Sequence, residues 1–155
     1  MLTGQSLKAL SANKKGFFLL VEGGRIDHAA HRNDAPATIH DTLAFDAAVG
    51  VAMEFARKNP NTLLLLTADH ETGGMSVIGH SKTSKDYLGL DVKAIAMAKA
   101  SFQSMAVQWG KKPGAEKIRD VVREGLGIEL SSDEAHTVAT DTIKKLDPKN
   151  YSYEQ

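Results

Sequence analysis

Cysteine is absent from the 155 residues, which excludes disulfides and thiolate chemistry and leaves any metal to be held by His, Asp or Glu. A net charge is absent too. Lys plus Arg and Asp plus Glu number 19 each, without a long run of either sign, so the electrostatic footprint of a nucleic-acid or anionic-membrane binder is missing and a small-molecule partner is expected. No apolar run approaches the ~20 residues of a membrane span. The start, Met1-Leu2-Thr3-Gly4-Gln5, lacks the basic segment and apolar stretch of a signal peptide. Absence of cysteine does not settle the compartment, since periplasmic proteins can also do without it. What remains is the composition of an ordinary soluble globular protein, long enough for one domain with a real core.

Proline is scarce, and the four that occur punctuate the chain. Leu7 to Ala12 reads as the end of a helix, and Asn13-Lys14-Lys15-Gly16 as a polar break before the apolar run Phe17 to Val21. A second apolar run, Thr62 to Ala68, follows the turn-like Asn59-Pro60-Asn61. Both have the length and continuity of strands covered on two faces, so parallel sheet is expected. Between them Pro36 opens a helix to about Lys58, with Ile39, Leu43, Ala47, Val51 and Phe55 at four-residue spacing. Strand, helix and strand then make one βαβ unit over 16–79.

The back half, 90–147, reads as helical. Val92, Ile95, Phe102, Met105, Ala106 and Trp109 form one helical stripe, and Ile118, Val121 and Val122 begin another after Pro113-Gly114. In a third helix Ser131 and Glu134 have capping-box spacing, and Ala135, Val138, Ala139, Thr142, Ile143 and Leu146 form the apolar face before Asp147-Pro148. The expected class is therefore α/β, a partial sheet followed by a helical segment.

Chemistry concentrates after the two apolar runs, at the carboxyl ends of strands where open α/β sheets bind ligands. The first cluster is Glu22-Gly23-Gly24-Arg25-Ile26-Asp27-His28-Ala29-Ala30-His31, where Gly23-Gly24 allows a sharp turn and Asp27 and His31, four apart, share a helical face. The second is Thr67-Ala68-Asp69-His70-Glu71-Thr72-Gly73-Gly74, whose Asp69 and His70 leave the strand together. Either pair alone reads slightly better as a hydrogen-bonded pair or a helix cap than as a metal site. Together they would bring five candidate ligands to one sheet edge, an arrangement costly to desolvate without cations. Oxygen plus imidazole suits catalytic zinc, and a lone carboxylate such as Glu22 suits magnesium.

The string from Gly16 to His31, and Thr67 to Gly74 in a form seen in many bacterial members, closely resemble the metal-binding segments of alkaline phosphatases. The resemblance implies that Glu22 is a magnesium ligand, that Asp27 and His31 hold the first zinc, and that Asp69 and His70 hold the second. It places His28 where relatives carry a Lys or His near the phosphate, and it implies two Zn²⁺, one Mg²⁺ and a phosphate monoester substrate. In that chemistry a metal-activated serine attacks the monoester and the resulting phosphoserine is hydrolysed, with two ions about 3.5 to 4 Å apart.

No nucleophile segment, earlier magnesium ligands or phosphate-clamping arginine is found here, and Arg25 is read as an ion-pair residue. His40 and Asp46 fall inside the first long helix, His80 in a polar loop, and His136 behind a capping box, so none is assigned. The sequence is thus expected to be a truncated piece of a larger phosphatase that alone hydrolyses no phosphate ester. Exposed strand edges would favour self-association into homo-oligomers. Other readings are a phosphodiesterase or phosphoglycerate mutase of the same superfamily, and a non-catalytic metal-binding module. Periplasmic or secreted residence is implied by the resemblance alone.

Overall fold

A computed structural model describes residues 1–76 and 92–145. The chain divides into two compact units, Met1–Met75 and Ser76–Gln155.

The first unit is built on α1 (Leu2–Leu10), α2 (Arg25–Ala30) and α3 (Ala35–Lys58), with α1 and α2 both packed on α3. Capping explains where α3 begins. Asp34, 1% exposed, accepts the Ala37 N–H at 3.0 Å, Pro36 sits in the first turn, and Arg57 and Lys58 occupy the last turn beside the helix's negative end. Glu54 pairs with both of these cations, at 2.7 Å to Arg57 and 2.9 Å to Lys58. Between α2 and α3 the chain reverses through Asn33 at φ +53°, a left-handed conformation that Asn tolerates better than most residues. Phe45 of α3 covers the Gly23 turn so closely that a Cβ at Gly23 would come within 2.8 Å of its ring.

The long helix matches its expected bounds, but its expected face does not. Leu43 is 60% exposed, whereas the residues α3 buries are Thr38 and Ala48. Four-residue spacing identified a face suited to burial, and within this unit only part of it is covered.

The expected sheet is not formed. Among the described residues there is no strand, and Phe17–Val21 and Thr62–Ala68 make no ladder with each other or with any other segment. The α/β assignment and the βαβ unit are therefore corrected to a helical arrangement. The physical reason is that an apolar run reports a wish for burial, while a strand exists only through a hydrogen-bonded neighbour. Phe18 at 87%, Leu63 at 82% and Leu65 at 79% exposure show that neither run is covered on two faces. Phe17 meets the Phe55 ring edge-on, with centroids 6.1 Å apart, and so leans on α3.

In the second unit α4 (Lys93–Met97), α5 (Phe102–Trp109) and α7 (Ser132–Lys145) are arranged around α6 (Ala115–Leu126). The stripe expected from Val92 to Trp109 is two helices. The chain turns extended at Ala98, and Ser101 caps α5 by accepting the Ser104 N–H at 3.1 Å. Ile118 and Val122 of α6 meet Ala135 and Ala139 of α7 in the core, with Trp109, Leu126, Leu130 and Val138 packed around them. Met105 presses on Gly125, where a Cβ would stand 2.7 Å from its sulfur.

The capping box at α7 forms as its spacing implied. Ser131 Oγ accepts the Glu134 N–H at 3.3 Å, and Glu134 Oε2 accepts the Ser131 N–H at 2.8 Å. His136 lies within α7 and is exposed. His80, the side chains of Thr142 and Ile143, and the expected helix end at Leu146-Asp147-Pro148 lie outside the described residues.

Candidate metal centre

All the candidate ligands belong to the first unit. Asp27 and His28 sit on α2, His31 is its C-cap, and Glu22 precedes it after the Val21 run. Asp69 and His70 follow the Thr62–Ala68 run and lead into the turn at Gly73 and Gly74, with φ +74° and +61°.

The two pairs read from sequence have their members close. His31 Nε2 stands 3.5 Å from Asp27 Oδ2, and His70 Nε2 stands 3.4 Å from Asp69 Oδ2. Both separations exceed a good N–H···O hydrogen bond, whose range is about 2.7 to 3.2 Å. They match the edge of a zinc tetrahedron, since donor atoms bound at about 2.0 to 2.1 Å stand about 3.3 to 3.4 Å apart. The donor set is imidazole and carboxylate without sulfur, as catalytic zinc accepts.

The tautomer of His70 also suits a ligand. Its Nδ1 lies 2.6 Å from the Glu71 carbonyl oxygen, which can only accept, so Nδ1 carries the proton and Nε2 keeps the lone pair. That carbonyl, with Asp69 as the next cause, raises the affinity of the ring for a second proton above the ordinary histidine value.

A contact that the sequence did not reveal joins the pairs. Thr72 Oγ donates to Asp27 Oδ1 at 2.7 Å, across 45 residues of chain, and the same oxygen lies 3.2 Å from His70 Nδ1. The Thr72 bond is the main reason why the Asp27 carboxyl is held below the usual carboxylate range, with the positive potential of His31, His70 and His28 adding to it. The signal for Thr72 was a hydroxyl two residues beyond a carboxylate and imidazole pair, inside a motif already singled out.

Gly73 makes this contact sterically feasible. Its Cα approaches α2 so closely that a Cβ would lie 2.8 Å from the Ala30 carbonyl oxygen. Beyond it the Gly74 N–H donates to Glu71 Oε2 at 2.7 Å, closing the turn on itself.

The remaining candidates are less engaged. Glu22 folds back over Gly24, where a Cβ would stand 3.2 Å from its Oε1, and makes no hydrogen bond or ion pair with either pair among the described residues. His28 is exposed on α2, the helix that carries Asp27. Among the described residues no three His, Asp or Glu side chains converge on a point. The side chains of Asp27, His31, Asp69 and His70 are 44 to 87% exposed, so the expected desolvation penalty is not what binds them together.

A family profile described as alkaline phosphatase matches residues 1–147. The chain belongs to the alkaline phosphatase family. It is 33% identical over 137 residues to alkaline phosphatase 4 of Bacillus subtilis, covering 88% of this chain and 28% of that protein. It is 41% identical over 122 residues to the membrane-bound alkaline phosphatase of Bombyx mori, covering 79% of this chain and 21% of that one. The crystal structure of Thermus thermophilus alkaline phosphatase superposes on 96% of this chain with a TM-score of 0.75 and 34% identity, using 30% of its own length. The chain thus spans less than a third of these relatives. Among the described residues no helix is long and apolar enough to cross a membrane.

Proposed function

We propose that this chain contributes ligands to the binuclear zinc and magnesium centre of a phosphate monoester hydrolase of the alkaline phosphatase family, with the phosphoserine nucleophile supplied by residues outside it. The observation that carries this reading is the Thr72 hydroxyl, which ties Asp27 on α2 to the His70 segment and so sets two candidate half-shells side by side.

Asp27 and His31 would hold one zinc through Oδ2 and Nε2, and Asp69 and His70 the other. Glu22, a lone carboxylate, would serve magnesium together with waters. When bound, the ions supply Lewis-acid stabilisation of the phosphoryl group and a nucleophile competent at neutral pH. The protein's part is positional. α2 presents Asp27 and His31 one turn apart, the Glu71 carbonyl fixes His70 with its Nε2 lone pair free, and Gly73 seats the second segment against α2. His28, exposed on the same helix, would lie near the phosphate and attract its negative charge when protonated. Residence in the periplasm or outside the cell belongs to the same reading.

Isothermal titration of the purified chain with Zn²⁺, beside a variant carrying Asp27→Ala and His70→Ala, tests the proposal. Saturable binding that the variant loses supports it, and identical traces count against ligands assembled by this chain. The chain alone is expected to hydrolyse p-nitrophenyl phosphate no faster than background. A robust zinc-dependent rate would refute the assignment of the nucleophile to residues outside it.

A further inference from the structure

We draw no further inference here: the strongest candidate, the exposed apolar surface of the first unit at Phe18, Leu20, Leu63 and Leu65, carries nothing because nothing in the structure shows what covers it.

Discussion

Replacing Gly73 by alanine tests whether the second candidate segment, Asp69 to Gly74, is held by its contact with α2. Two penalties apply. At φ +74° an L-residue pays about 1 to 2 kcal/mol for the left-handed conformation. In addition the new Cβ would lie 2.8 Å from the Ala30 carbonyl oxygen, a backbone atom that cannot swing aside, so the loop must lift from the helix. Gly16→Ala separates the two. Gly16 has φ +89° in the same unit, with nothing within 4 Å of where its Cβ would be, so it pays the conformational penalty alone. Urea unfolding followed by circular dichroism should show Gly16→Ala destabilised by about 1 to 2 kcal/mol with Zn²⁺ affinity unchanged. Gly73→Ala should be destabilised at least as much and should lose Zn²⁺ affinity, because lifting the loop breaks the Thr72 to Asp27 bond. Two variants alike in stability and in zinc binding would refute the steric reasoning.

Ile118→Ala should destabilise the second unit by about 2 to 5 kcal/mol, because Ile118 is 0% exposed between α6 and α7, and urea unfolding read by Trp109 fluorescence would measure it. Asp34→Ala should cost about 1 kcal/mol, the loss of a side-chain cap at the start of α3, with Asp34→Asn retaining most of it in the same assay. Ser131→Ala should cost a similar ~1 kcal/mol at the start of α7. Glu134 gives that cap a pH dependence: its bonds to the Ser131 N–H and hydroxyl hold its carboxyl below the ordinary glutamate value, about 4.3. Its contribution is therefore complete above that value and is lost as pH falls through the lower folded value, so thermal melts should show Ser131→Ala closing on the wild type in that acid window.

Local signals in this sequence were legible because local physics decides them. The bounds of α3 were marked by Pro36 and the turn at Asn59-Pro60-Asn61, and the start of α7 by Ser131 and Glu134, while the Asp34 cap showed only in the fold. The Asp27 and His31 pair followed from helical spacing, since one turn of α2 is enough to bring them together. The sheet could not be read in the same way. Phe17–Val21 and Thr62–Ala68 state an apolar preference that needs neighbours from elsewhere, and nothing within either run says whether those neighbours lie in the same chain. The break between α4 and α5 was hidden because both sides carry the same apolar spacing. Thr72 was missed because a hydroxyl next to candidate ligands has no periodicity, and only the fold shows which carboxylate it meets.

The candidate centre consequently depends on less of the fold than an α/β reading supposes. A sheet edge would have placed both candidate segments by pairing their strands, yet among the described residues neither run is paired and the two segments are still within a shared hydroxyl of each other. What places them is the seat of Gly73 on the last turn of α2 and the packing of α2 on α3, with Phe45 over the Gly23 turn. Each of these contacts lies within residues 23–73. The pairing of Asp27 with the His70 segment should therefore survive any change that leaves those contacts intact, including polar substitution of Leu63 or Leu65, whose side chains are 82 and 79% exposed. The predicted result is unchanged Zn²⁺ affinity in Leu63→Ser with Leu65→Ser. A loss there comparable to that of Gly73→Ala would mean that the apolar run, not the loop seat, positions His70.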